Sequence, residues 1–141
     1  MNIDPAQLIE QSPDAMIFAD REGVVRHWNA SAERVFGHSA ADAVGQTLDL
    51  IIPENFRDQH WTGYDRALEA RVTKYVGQVL PTRARHADGH DFYIEMGFAI
   101  VLDAAGEALG AMATARDITE RFERDRQSRR RLRELEQELE A

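Results

Sequence analysis

The sequence predicts an α+β domain: one antiparallel sheet of five strands, short helices grouped on one of its faces, and a long C-terminal helix. Two short apolar runs near the N-terminus and three longer ones after residue 74, separated by glycine- and aspartate-rich turns, supply the strands. Between these groups, residues 29–70 carry polar caps and glycine stops at helical spacing, which collects the helices in the middle of the chain.

In order, Pro5 to Gln11 is expected to form one or two helical turns. Ala15–Ala19 and Val24–Trp28 are extended runs joined through Asp20–Gly23, a hairpin whose turn uses Gly23 for its backbone angles. Asn29 caps a helix over Ala30–Phe36 that Gly37 stops, and Ser39 caps Ala40–Val44, stopped by Gly45. Pro53 and Glu54 suit the start of a helix running to about Ala70. On it, Phe56, His60, Tyr64 and Leu68 recur four apart and share one face, with Trp61 beside them. Strands follow over Tyr75–Arg85, Asp91–Leu102 and Ala108–Arg116, and Pro81 argues for an edge position or a bulge in the first. From Ile118 onward there is no glycine or proline, and Leu132, Leu135 and Leu139 fall on one side of a helix.

Composition narrows the function. The chain has 141 residues, no cysteine and a net charge of −8. Absence of thiols excludes disulfides, thiolate metal sites, a cysteine nucleophile and a cysteinyl flavin or other cysteine-linked chromophore. Acidic balance disfavours nucleic acid and anionic membrane as partners of the domain itself. The first ten residues lack the basic start and apolar run of a signal peptide, and no segment has transmembrane length, so a cytoplasmic location is expected. Carboxylates are abundant, but none forms a recognisable acid/base pair, and no Ser-His-Asp, phosphate-loop or two-metal spacing occurs. An enzyme is therefore not expected. His86 and His90 read as turn-flanking surface residues, because Asp88-Gly89 breaks any helix that would align them as metal ligands. His27 and His38 lack a partner motif.

Several local patterns occur together: Ser12-Pro13-Asp14-Ala15, Trp28-Asn29 with Ala32-Glu33 and Phe36-Gly37, Val44-Gly45, Ile52-Pro53, Ala87-Asp88-Gly89 and the closing run Arg116–Arg121. In this order they resemble the PAS family over residues 3–121. The resemblance implies a PAS fold in which a five-stranded antiparallel sheet and its helices cup a pocket. It divides the chain into a sensor domain over residues 1–117 and a signalling helix over residues 118–141, a coiled-coil linker to an output domain such as a histidine kinase. Such domains serve signal transduction, including two-component systems.

More specifically, Ile52-Pro53-Glu54, Arg57, His60, Tyr64 and Arg66 resemble the haem-binding PAS domain of FixL-type oxygen-sensor histidine kinases. The resemblance implies haem b as cofactor, His60 as proximal iron ligand and Arg66 as partner of a haem propionate. A neutral imidazole on an apolar helix face suits an axial ligand. The pattern departs from that family on the distal side. Where the oxygen sensors carry an arginine, this chain has Leu80, with Met96, Phe98 and Ile100 as further inward candidates. An apolar distal wall lacks a donor for polarised bound oxygen, which leaves carbon monoxide, nitric oxide or a redox change as alternative stimuli; Gln78 or Trp61 could supply a donor.

Two function classes stay open. In the first, the chain is a haem-based gas or redox sensor held through His60. In the second, it is a cofactor-free module that takes a small organic ligand or mainly dimerises. For either, a homodimer through the terminal helices is expected: of seven basic and seven acidic residues between Glu120 and Glu140, the basic ones cluster at Arg129–Arg133 and the acidic ones at Glu134–Glu140, so two parallel or staggered copies could pair ionically.

Overall fold

Burial alternates along the first strand, β1 (Ala15–Asp20), where Ala15, Ile17 and Ala19 are inside. That period of two fixes one face of the sheet to the core. The computed structural model describes residues 1–140. It contains α1 (Pro5–Glu10), β1, β2 (Val25–Trp28), α2 (Ala30–Phe36), α3 (Ala40–Ala43), α4 (Arg57–Ala70), β3 (Val79–Arg85), β4 (Asp91–Leu102), β5 (Ala108–Asp117) and α5 (Thr119–Glu140). The sheet is antiparallel throughout, in the order β2-β1-β5-β4-β3. The expected α+β architecture is therefore present, with the first and last strands of the chain's sheet segment side by side at its centre.

The caps lie where the sequence places them. Asn29 Oδ1 accepts from the Ala32 N–H at 3.0 Å, Gly37 closes α2 in the left-handed region, and Ser39 Oγ accepts from the Asp42 N–H at 3.2 Å. Pro81 lies on β3, an edge strand, where a missing N–H breaks no ladder. Gly23 serves two ends at once. Its φ of 78° makes the β1–β2 turn, and a Cβ there would overlap the indole of Trp61.

Two boundaries differ from expectation. The helix that begins near Glu54 opens with a 3₁₀ turn over Glu54–Phe56 and becomes α-helical from Arg57. Phe56 is consequently 36% exposed, and the buried stripe of α4 consists of Tyr64 and Leu68. The third strand starts at Val79 and not at Tyr75. Residues 74–77 instead form turns: Thr73 Oγ1 accepts from the Tyr75 N–H at 3.2 Å, and the Gln78 N–H donates to the Tyr75 carbonyl at 2.9 Å. Local side-chain acceptance of this kind competes with strand formation.

The long helix α5 leaves the sheet through a clamp on β4. The Ile118 N–H donates to the Tyr93 carbonyl at 2.9 Å, Thr119 Oγ1 accepts from the Tyr93 N–H at 3.1 Å, and Arg121 pairs with Glu95 at 2.6 Å. The Phe122 ring stacks on Tyr93 with centroids 4.0 Å apart. Beyond that turn nothing covers the helix among the described residues, and Leu132, Leu135 and Leu139 are 61%, 40% and 88% exposed. Thr119→Val keeps the shape and removes the hydroxyl, so the Tyr93 N–H loses its acceptor. The expected loss is about 1 kcal/mol, felt locally as about fivefold faster amide exchange at Tyr93 and in the first turn of α5. Unchanged exchange there would show that the hydroxyl does not hold the junction.

Candidate functional site

The inner face of the sheet is built from small residues on β5 and large ones on β4. Register pairs Met96 with Ala115, Phe98 with Ala113 and Ile100 with Ala111, so three alanines lie beside three bulky side chains. Leu80 lies across from Met96 on β3. All four large residues are only partly buried, and Met96, Phe98 and Ile100 pack against the core.

Helix α4 covers part of this face. The Tyr64 hydroxyl donates to the Asp20 carbonyl at 2.6 Å, with the Ala19 carbonyl at 3.2 Å, which pins the helix to the end of β1. Burial, with the Asp20 carboxylate nearby, raises the phenol's pKa well above its ordinary value, so the hydroxyl stays a donor. Trp61 Nε1 donates to Asp49 Oδ1 at 2.8 Å. His60 lies against both rings, with centroids 4.7 Å from Trp61 and 5.8 Å from Tyr64. Its Nδ1 is buried without a hydrogen-bond partner among the described residues. Burial lowers the imidazole's pKa, opposed in part by Asp49, so the ring is neutral at neutral pH.

The ring of Phe98, 6.2 Å from Tyr64, extends this aromatic chain to a half-open cleft of about 210 Å³. The cleft lies between residues 71–77 and the Phe98–Ile100 stretch of β4. Of the residues expected in the site, His60, Trp61, Tyr64 and Phe98 thus form one contiguous group, and Phe98 and Ile100 line the cleft. Met96 and Leu80 lie further along the strands, outside the cleft lining. Arg66 and Gln78 are exposed, Arg66 being two positions from the buried Tyr64 on α4.

A sheet of this order, helices on its inner face and a C-terminal helix clamped to β4 find a direct counterpart. A family model described as the PAS fold matches residues 9–123. The chain belongs to the PAS family. Sensor protein FixL of Bradyrhizobium diazoefficiens is 29% identical to this PAS domain over 132 residues, covering 94% of this chain and 25% of that protein. An uncharacterized protein of Azorhizobium caulinodans is 31% identical over 116 residues, covering 82% of this chain and 16% of that one. The PAS domain of a protein from Colwellia psychrerythraea superimposes with a TM-score of 0.71 at 25% identity, covering 82% of this chain and 95% of that one. The chain spans a quarter or less of the length of these curated relatives. It is a PAS sensory domain of a signalling protein.

The donor chemistry of the PAS site fits haem. His60 offers a neutral imidazole whose buried Nδ1 is unpartnered among the described residues, and the alanine floor of β5 leaves the facing wall low. The cleft's volume of about 210 Å³ is below the roughly 300–1,000 Å³ typical of small-molecule pockets. His60 is not among the residues that line this cleft. Among the described residues no helix is long and apolar enough to cross a membrane.

Sequence reasoning missed the rim of the cleft, Arg71, Val72, Thr73, Val76 and Gly77, because that stretch reads partly as strand. Thr73 two residues before Tyr75, with Gly77 next, was the available turn signal. The sequence places His86 and His90 as turn-flanking surface residues without showing that they meet. The turn itself brings their rings together, stacked at 17° with centroids 4.9 Å apart.

Proposed function

We propose that this PAS domain senses an occupant of the space between α4 and the sheet, with haem held through His60 as the leading reading, and transmits its state through α5. The single observation that carries the haem reading is the buried, unpartnered Nδ1 of a neutral His60 on α4. The FixL relative, matched over 94% of this chain, supports the same reading. Haem, when bound, supplies an iron centre that coordinates diatomic gases or changes oxidation state.

Every other contribution comes from the chain itself. Trp61 and Tyr64 flank the His60 ring, and both are fixed by their own hydrogen bonds to Asp49 and Asp20. Met96, Phe98, Ile100 and Leu80 keep the facing wall apolar, and Arg66, free of ion pairs among the described residues, is available for a propionate. Because β4 carries both Phe98 and the Tyr93 clamp on α5, a shift of β4 in response to the occupant reaches the helix within one strand. Such a response needs an occupant that favours one position of β4 over the other. The exposed leucines of α5 are a seam for a second copy, and in this reading the helix leads on to an output such as a histidine kinase. The domain carries no chemistry of its own in this reading.

A second reading is favoured by the cleft's volume: a small apolar organic molecule against Phe98 and Ile100, without a cofactor. An absorption spectrum after haem addition separates the two. A Soret band that shifts with carbon monoxide and disappears in His60→Ala is the expected result. Absence of saturable haem uptake, with ligand-induced shifts at Phe98 and Ile100 that survive His60→Ala, would establish the second.

A further inference from the structure

The β3–β4 hairpin, at the opposite end of β4 from the cleft, gathers three metal-ligating side chains. The His86 N–H donates to the His90 carbonyl at 2.9 Å, which closes the turn, and one ligand atom each from His86, Asp88 and His90 lie within 4.8 Å of one another. We propose that this hairpin is a binding site for a divalent transition-metal ion of the zinc, nickel or copper class, independent of the PAS cleft.

The donor set is specific to that class. Two imidazoles and one carboxylate suit zinc, copper and nickel, whereas calcium and magnesium prefer oxygen alone. His86 Nδ1 lies 3.3 Å from Asp88 Oδ1. That matches the roughly 3.4 Å separation of two ligands in a tetrahedral site with bonds near 2.0–2.1 Å. The same Nδ1 accepts from the Asp88 N–H at 3.2 Å, a hydrogen bond that an ion at this nitrogen replaces. His90 Nδ1 is in close hydrogen-bond contact with the same carboxylate oxygen, so a metal takes the place of that hydrogen bond, and a ring ligating through Nδ1 carries its proton on Nε2.

The scaffold is firm on one side and adjustable on the other. The His86 ring packs edge-on to Phe92 at 5.9 Å and occupies the space a Cβ on Gly37 would need, while the Ala87 N–H donates to the Phe36 carbonyl at 2.8 Å. His90 is 58% exposed at its side chain and free to close the remaining distance, with water completing the shell. Arg85 is engaged with Asp91 at 3.5 Å and does not compete for Asp88. An ion here would tie the hairpin to the end of α2.

Calorimetric titration of the metal-free chain with zinc chloride at neutral pH tests this. The expected result is one equivalent bound, with affinity reduced at least about tenfold in both His90→Ala and Asp88→Asn. Both side chains are largely exposed, so neither substitution endangers folding. Binding that is unchanged in these two variants, or no saturable uptake up to about 1 mM zinc, would overturn the site. His60→Ala is expected to leave this titration unaltered, which keeps its outcome separate from that of the haem reading.

Discussion

Asn29→Ala is expected to cost about 4 kcal/mol of folding stability, read as a fall of about 12 °C in Tm or a lower urea midpoint at constant slope. Asn29 is 0% exposed and makes four hydrogen bonds. Its Oδ1 accepts from the Met16 N–H at 2.8 Å and the Ala32 N–H at 3.0 Å; its Nδ2 donates to the Ile9 carbonyl at 2.8 Å and the Asp14 carbonyl at 3.1 Å. One side chain thus joins the end of α1, the entry to β1 and the start of α2. Alanine leaves two backbone donors and the Asp14 carbonyl without partners, while the Ile9 carbonyl keeps the Ser12 N–H at 3.3 Å; each unsatisfied buried group costs about 1–3 kcal/mol, reduced where water enters. Asn29→Asp separates the contributions: it keeps both acceptances but turns a carboxylate toward the Ile9 and Asp14 carbonyls, so it is also destabilising. A loss below about 1 kcal/mol in the alanine variant would mean that α1 detaches at little cost and that the cap to Ala32 is all that matters.

This residue also marks where the sequence stops being legible. Its role as the cap of α2 follows from position, because an asparagine directly before a helical run is placed to accept from the N–H three residues on. Its other three bonds reach 13 to 20 residues back along the chain, and nothing in the local pattern names those partners. The same divide runs through the site. Helical spacing put His60, Tyr64 and Leu68 on one face, and alternation put Met96, Phe98 and Ile100 on one side of a strand. The meeting of Tyr64 with Phe98 depends on how α4 crosses the sheet, which is fixed by the Tyr64 hydroxyl at Asp20 and by Trp61 on Gly23. The β3–β4 turn is a further case: reasoning from helical alignment does not reveal that a tight hairpin places His86 and His90 side by side across the ladder.

Gly110→Ala is expected to destabilise the domain by about 3 kcal/mol and to loosen the site at the same time. Gly110 pairs with Asp20 on β1 and with Val101 on β4, so it lies in a strand flanked on both sides. A Cβ there would overlap the Ala19 carbonyl oxygen and come within 2.9 Å of Asp20 Cα and Phe18 Cζ. Two of those three atoms are backbone, so no rotamer change relieves the clash, and β1 must move away from β5. The atoms displaced belong to Ala19 and Asp20, whose carbonyls receive the Tyr64 hydroxyl. The steric cost and the anchoring of α4 are therefore coupled, and a double-mutant cycle measures the coupling. In the parent, Tyr64→Phe should cost about 1–2 kcal/mol, since it strands acceptors near the core. In the Gly110→Ala background the same change should cost nearly nothing, because the bond is already lost. Full additivity would show that β1 yields elsewhere and that the helix keeps its anchor; non-additivity of about 1 kcal/mol would tie the position of α4, and with it the His60 ring, to the spacing of the two central strands.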